Sequence, residues 1–331
     1  MKYKLVSVIL LMFVLVIPCQ SKMKKLAQTG YQFMKIGMSA RAEALAGTYT
    51  MIGDDVNSIF YNPAGLSQIT SKYQVVAHRT QWIADISYNA FAASYNLGKL
   101  GVIGIHFTGV DYGELVGTRV AVTEQGYVET GNVDVGAFYG GLAYARQLTD
   151  KFFIAGQVKY ASEHLGSSLI SPVDTPEEIV ENKTNGLAFD FGTIYYTGLK
   201  DLRLGINIRN FSREIAYQEY GFQMPLIFQI GFAMEMLQLF SSDTETHSLT
   251  LALDAVHPRD YTERISLGAE YWFVDMIALR AGYLFNHDTN GLSAGVGVKK
   301  DLGGFGLVVD YAFSQSEYFD SVNRLSLGFV F

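Results

Sequence analysis

The sequence predicts an all-β membrane protein: a fourteen-stranded antiparallel transmembrane β-barrel with a short N-terminal helical hatch. Three observations carry this expectation. Segments of roughly ten residues, the length of a tilted membrane-spanning strand, alternate between apolar and polar side chains. Past residue 21 there is no apolar run of about 18 residues, so a membrane-spanning chain of this sequence must cross as strands. The chain ends on an alternating strand whose last residue is Phe331.

Composition points the same way. Aromatic residues make up 14%, glycine numbers 33 and charged residues are only 17%, a β-rich balance. At the start, Lys2 and Lys4 precede an apolar run from Leu5 to Ile17, which Pro18 ends. This is the pattern of a secretory signal peptide, with Cys19 and Ser21 at positions −3 and −1 of a cleavage after Ser21. A lipoprotein reading of Val-Ile-Pro-Cys19 also exists, and Pro18 immediately before the cysteine disfavours it. The expected divisions are 1–21 signal peptide, 22–72 hatch segment and 73–331 barrel. Cleavage removes two of the 25 basic residues and none of the 32 acidic ones, so the net charge moves from −7 to −9. It also removes the one cysteine, which excludes disulfides and thiol chemistry. An acidic chain without a basic stripe argues against nucleic acid.

Alternation is clearest at the C-terminus, where Leu325, Leu327, Phe329 and Phe331 share one face and Arg324, Ser326, Gly328 and Val330 the other. The same rhythm gives fourteen segments: 73–80, 87–96, 100–112, 133–147, 152–162, 186–197, 202–211, 225–238, 247–257, 263–274, 277–286, 291–299, 305–314 and 322–331. Those at 87–96, 100–112 and 133–147 alternate poorly and are glycine-rich, which suggests packing on both faces or kinks. Links 113–132 and 163–185 are long, while 97–99 and 275–276 are tight. Short periplasmic turns alternating with longer outer loops is a barrel rhythm.

Residues 22–72 do not alternate. Ser39 to Met51 reads as a short helix with Ser39 as its cap, and Gly47 argues that it is short or broken. Gly53-Asp54-Asp55 and Asn62-Pro63-Ala64-Gly65 read as turns. This fits a plug near the periplasmic mouth.

These residues carry a resemblance. The stretch from Phe33 through Arg41 to Gly47, then Asp54-Asp55, then Phe60-Tyr-Asn-Pro-Ala-Gly-Leu66, is similar to the N-terminal signature of the PorV/PorQ family, within the wider FadL-like barrels. The resemblance implies fourteen strands and an N-terminal hatch. It also implies a role in type IX secretion, with secreted cargo C-terminal domains and secretion-system subunits as partners. FadL-like relatives instead pass hydrophobic small molecules through a side opening in the wall. The terminal Phe329 and Phe331 resemble the barrel-assembly signal of outer-membrane proteins, implying outer-membrane lipid and the assembly machinery as partners.

The hatch motif is assigned to Arg41, Gly47, Asp54, Asp55, Asn62, Pro63 and Gly65. Asn62-Pro63-Ala64-Gly65 reads first as a turn that seats the hatch, and second as a gating element. Asp54 and Asp55 read as partners of neighbouring backbone N–H groups or of Arg41. Arg203, Arg209, Glu270, Arg280, Asp310 and Arg324 fall on inward faces and form a lumen charge network. A lipid-facing charge there would cost roughly 2–4 kcal/mol. The link 163–185 supplies a candidate partner-binding loop with Leu165, Leu169, Ile170, Asp174, Glu177 and Glu178, and 113–132 is the second choice. Long loops on a rigid scaffold commonly carry function.

The six histidines show no ligand spacing, and no nucleophile elbow is present. Asp254 and His257 are catalytic candidates by residue type alone, without a partnered serine. The expectation is no cofactor, no metal and no enzyme activity. Two functions remain: secretion or attachment of cargo through the outer loops, and transport of a hydrophobic small molecule. A wall opening near the weakly alternating 87–147 region would suit the second. A purely structural barrel is disfavoured by the hatch.

Overall fold

The computed structural model describes residues 28–170, 178–240 and 246–331. The barrel strands are β1 Tyr73–Gln81, β2 Ser87–Asn96, β3 Val102–Asp111, β4 Val135–Thr149, β5 Phe152–Ile170, β6 Glu178–Tyr196 and β7 Arg203–Ser212. They continue as β8 Ile227–Glu235, β9 His247–Pro258, β10 Arg264–Phe273, β11 Ile277–Phe285, β12 Asn290–Asp301, β13 Gly306–Ser316 and β14 Val322–Val330. Each pairs antiparallel with its sequence neighbour, and β1 pairs with β14, so the sheet closes as a fourteen-stranded barrel. Closure removes the edges that lipid could not satisfy.

Alternation divides the wall into two surfaces. Outward side chains such as Ile105, Phe107, Leu142, Leu279 and Leu325 are each about half exposed, while inward His78, Thr80, Thr108, Asn207 and Arg280 are buried. Apolar outside and polar inside is the order that hydrocarbon imposes on a barrel. No helix among the described residues is long and apolar enough to cross a membrane. Aromatic rings cluster where the strands end: Tyr73 stacks on Tyr95, and Phe305 packs against Phe329 and Phe331.

The strands between 87 and 147 carry no kink. β2, β3 and β4 pair in unbroken register from Ser87↔Asp111 to Val102↔Ala145, so the wall has no gap there. Their alternation is weak because inward positions hold Ala90, Ala92, Gly104, Ala143 and Ala145. Small inward residues make room for the hatch, so both faces read as apolar.

Within the expected loop 163–185, residues 163–170 and 178–185 are strand. β5 and β6 extend to Ile170 and Glu178 and stay paired through Ser167↔Glu181 and Ser168↔Val180, after a bulge beyond His164. The strand signal fades in the sequence because these residues face neither a lumen nor other strands on both sides, so nothing enforces a two-residue period. Leu165 lies on this projecting hairpin and is exposed. Leu169, Ile170 and Glu178 belong to it by backbone, whereas Asp174 and Glu177 lie outside the described residues, as does the expected signal peptide. In the link 113–132, Val116–Val120 pairs with Tyr127–Asn132 as a separate two-stranded ribbon.

The hatch threads the lumen as an irregular chain. Ser39 caps a single helical turn, Ala40–Glu43, by accepting from the Ala42 N–H at 3.4 Å. The turn stops there because Ala46 and Gly47 take left-handed backbone angles, φ 55° and 75°. Short 3-10 turns follow at Val56–Phe60, capped by Asp55, and Pro63–Gln68, capped by Asn62. The hatch is not confined to the short-turn mouth. Residues 28–36 reach the long-loop end, where Thr29 bridges Gln223 in parallel.

Inward glycines form its seat. A Cβ on Gly282 would lie 2.2 Å from the Leu45 carbonyl carbon, and one on Gly205 would lie 2.1 Å from the Met51 sulfur. Gly295, Gly268, Gly231 and Gly192 receive Ala44, Leu45, Thr50 and Asn62 in the same way. The hatch thus rests on a belt of bare backbone around much of the wall.

Gly282→Val should displace the hatch while leaving the wall paired. Overpacking of this kind costs about 1–3 kcal/mol, so protease cleavage within residues 37–55 should rise roughly tenfold or more. The heat-modifiable gel mobility of the barrel should be retained. Unchanged cleavage would show that the hatch does not depend on this glycine.

Candidate functional site

The plugged lumen is the candidate site, and it has three parts: a buried charge cluster, two basins and an outer strap, residues 28–36. Arg41 is placed by the capped turn so that its guanidinium points at the wall. Its Nε and Nη2 donate to both oxygens of Glu270 at 2.8 Å, a bidentate pair. Its Nη1 donates to Asp54 at 2.8 Å and Asp55 at 2.9 Å. Arg280 donates from Nε to Glu270 and from Nη1 to Asp310, both at 2.6 Å. The Trp272 ring lies against the guanidiniums of both arginines. One network therefore ties the hatch, through Arg41, Asp54 and Asp55, to β10, β11 and β13.

Arg203, Arg209 and Arg324 lie outside this cluster. Arg209 donates to the Phe60 carbonyl at 2.8 Å and Arg324 to the Gly37 carbonyl at 3.0 Å. Arg324 also approaches Glu43 at 3.4 Å, and Arg203 pairs with Asp201 at 2.9 Å near the Met51 carbonyl. They are separate clasps on the hatch backbone. Asp254 does the same from β9, accepting from the Thr50 N–H at 3.1 Å and hydroxyl at 2.7 Å. His257 instead faces Glu263 at the long-loop rim, so the two do not form a catalytic pair.

Asn62 works as a turn and a clasp. Its side-chain oxygen accepts from the Ala64 N–H at 3.1 Å, and its amide donates to the carbonyls of Thr50 and Thr193. Pro63 opens the following 3-10 turn without needing an N–H partner. A Cβ on Gly65 would meet the Gly53 carbonyl oxygen at 2.5 Å, so this glycine lets two hatch turns touch.

Sequence reasoning missed two groups. Lys159 and Asp190 form a buried lumen pair at 2.8 Å, with Asn210 accepting from the lysine. Inward parity on β5 and β6 was the available signal. At the long-loop end, Thr29, Gln32 and Lys35 all donate to one oxygen of Asp260, at 2.9, 2.8 and 2.8 Å. Nothing in the sequence links residues so far apart.

The hatch separates two basins. A cavity of about 580 Å³ at the short-turn end is lined by Asp54, Asp55, Arg203, Glu235, Glu270 and Arg280 among others. One of about 400 Å³ at the long-loop end is walled by Ile36, Trp82, Ile83, Leu284 and Phe319, with Arg209, Arg264 and Arg324 at its polar edge. Among the described residues no group of histidine, cysteine, aspartate or glutamate side chains could hold a metal ion.

With this geometry in view, residues 55–329 match the type IX secretion system membrane protein family PorP/SprF. The chain belongs to this family. The match places it in type IX secretion under a description other than PorV/PorQ. No curated protein matches the chain. Among solved structures, it resembles the Pseudomonas putida toluene transporter TodX at 13% identity and TM-score 0.60, covering 89% of this chain and 98% of that one. It also resembles the monoaromatic hydrocarbon channel CymD at 12% identity and TM-score 0.53, covering 89% and 97%. These likenesses show that the chain shares the barrel fold of these two channels.

Two tests follow from the geometry. Arg280→Met should strand the buried Asp310 carboxylate and remove one partner of Glu270, costing about 3–5 kcal/mol by denaturant unfolding. A loss under about 1 kcal/mol would mean that the cluster is solvated. Asp260 lies in the 259–263 connection, outside the spanning strands. Burial opposes its ionisation, but hydrogen bonds from Lys35 and Gln32, the Lys35 charge and the Thr29 hydroxyl outweigh burial and hold its carboxyl below the usual value. A depressed carboxyl gives stabilisation that is full above the ordinary aspartate value, about pH 4, and lost as pH falls through the folded value. The strap should therefore loosen on acidification below about pH 4, read by protease cleavage after Lys35. Asp260→Asn should flatten that dependence, and an unaltered acid profile would remove Asp260 from the account.

Proposed function

We propose that this chain binds secreted cargo at the cell surface and hands it over for attachment, as the PorV/PorQ resemblance implies, with the long-loop end facing outward. The observation that carries this reading is the family match over most of the barrel, joined to a lumen closed by the hatch. Membership of a type IX secretion family makes secretion-system subunits and cargo C-terminal domains the partner class. A lumen crossed by Arg41, Glu270, Arg280 and Asp310 leaves no passage for a folded protein. Cargo contact therefore falls to the projecting parts. The β5–β6 hairpin stands clear of the wall with exposed Leu165 and Ile179, and the 116–132 ribbon shows Val120 and Val122. Exposed apolar side chains on a marginal two-stranded ribbon suit a surface covered in use.

A second reading is transport of a hydrophobic small molecule, as the names of TodX and CymD suggest. The basin at the long-loop end, with Trp82, Ile83, Leu284 and Phe319 in its wall, supports it. The pairing shift between Phe189 and Phe191, where β6 meets β7, is one of several places where the wall departs from regular register.

Removing residues 167–181 shortens the hairpin above its bulge and leaves the wall ladder intact. That variant should reach the outer membrane with normal heat-modifiable mobility and lose capture of type IX cargo C-terminal domains in pull-down. Full capture by the shortened hairpin would reject the hairpin as the contact. Saturable toluene or fatty-acid uptake by the intact protein would favour the second reading.

A further inference from the structure

The basin at the long-loop end holds more positive charge than its own carboxylates answer. Four cations line it, Lys35, Arg209, Arg264 and Arg324, against one carboxylate, Glu43. Lys35 is paired with Asp260 at 2.8 Å, and Arg324 approaches Glu43 at 3.4 Å. Arg209 instead donates to the Phe60 carbonyl, and Arg264 lies 4.3 Å over the Tyr261 ring. The Nε of both is buried without a hydrogen-bond partner among the described residues. Two carboxylates act on Arg264 from nearby, and both are engaged: Asp260 by Lys35, Gln32 and Thr29, and Asp288 by the Tyr261 hydroxyl. An arginine cannot shed its proton, so a guanidinium held this way calls for an anion.

The rest of the lining narrows what carries that anion. Trp82, Ile83, Leu284 and Phe319 offer apolar surface, while Gln229, Ser266, Ser293, Ser314 and Ser316 offer amide and hydroxyl groups. The hatch forms the floor through Ala46, Gly47 and Tyr61, so an occupant enters and leaves on the long-loop side. A volume of about 400 Å³ lies at the small end of ligand cavities and far below a folded domain. A neutral hydrocarbon would leave both arginines and the hydroxyl groups unanswered, and an acyl chain would still leave the hydroxyl groups. The end of a polypeptide answers all three: a carboxylate for the guanidinium, main-chain amides for the hydroxyls, and an apolar side chain for the Trp82 surface. Capture of a C-terminal carboxylate is a recurring mode of peptide recognition.

We propose that this basin binds the C-terminal end of a partner polypeptide, with the free carboxylate on Arg264 and an apolar final side chain against Trp82 and Phe319. Arg264 is the anchor because it holds nothing else, whereas Arg209 and Arg324 are clasps on the hatch. It opens β10 beside the 259–263 connection, where an entering chain end meets it first. Guanidinium and carboxylate match in shape as well as charge, which makes this contact the selective one. That the polypeptide is secreted cargo rests on the reading under Proposed function, whereas the site itself does not.

The probe is a set of N-terminally labelled hexapeptides with apolar last residues, each made as the free acid and as the C-terminal amide. They are added to the full-length protein in lipid nanodiscs, with sodium decanoate as the alkyl carboxylate in a parallel arm. The free acids should bind about tenfold or more tightly than the amides, the size of a hydrogen bond to a charged group. In Arg264→Gln that preference should vanish while protease protection of residues 37–55 is retained, which separates loss of the site from loss of the plug. The acid-against-amide comparison in the parent protein decides the matter even where the variant fails to fold. Equal binding of acids and amides, a preference that survives Arg264→Gln, or binding of decanoate with none of any free-acid peptide would overturn the proposal. An Arg264→Gln protein that loses the peptides yet captures cargo normally would sink cargo as the source and leave the site standing.

Discussion

An irregular chain inside a closed barrel must have its backbone polar groups satisfied, and the rest of this structure depends on how that is done. The hatch is one helical turn and a few 3-10 turns, so most of its N–H and C=O groups have no partner within it. Wall side chains supply those partners. Gln74 accepts from Val56 N–H, Ser326 accepts from Ala40 N–H, and Asn207 donates to the Tyr61 carbonyl. Arg209, Arg324 and Asp254 do the same elsewhere. Lumen polarity in this barrel is a template for one particular path of chain. The glycine belt is the steric half of that template, because backbone-to-backbone approach leaves no space for a Cβ.

What could be read from the sequence divides along the same line. Strand count and facing follow from a period of two, which lipid and lumen enforce at every step, so Leu325 and Arg324 fall on their proper sides from parity alone. Parity also places Glu270, Arg280 and Asp310 inward. It does not say which of them meet, since partners come from strands whose spacing along the chain varies. Hence the six inward charges read as a single network, while three of them are clasps on hatch carbonyls. The hairpin above the wall was illegible for the opposite reason: beyond His164 neither lipid nor lumen sets a face, and the alternation ends although the pairing continues. Weak alternation at 87–147 records small inward residues under the hatch rather than a break in the wall.

The two ends of the hatch differ in how they are held. Inside Gly37 the contacts are buried, charged and distributed over β7 to β14, so they open together or not at all. Outside it Thr29, Gln32 and Lys35 converge on Asp260, and Tyr31, Phe33 and Met34 are buried in the core cluster.

The plugged lumen bears on the choice between the two functions. A hydrophobic solute crossing straight through would leave an apolar basin and enter one lined by Asp54, Asp55, Arg203, Glu235 and Arg280. It would also have to part Arg41 from Glu270, leaving buried charges uncompensated. Passage sideways between β6 and β7 avoids that cost but requires a wall whose pairing resumes at Phe191↔Ile208 to open. Binding at the rim needs neither step. It draws on the hairpin and the ribbon, which are the parts of the molecule that hydrocarbon and lumen leave free.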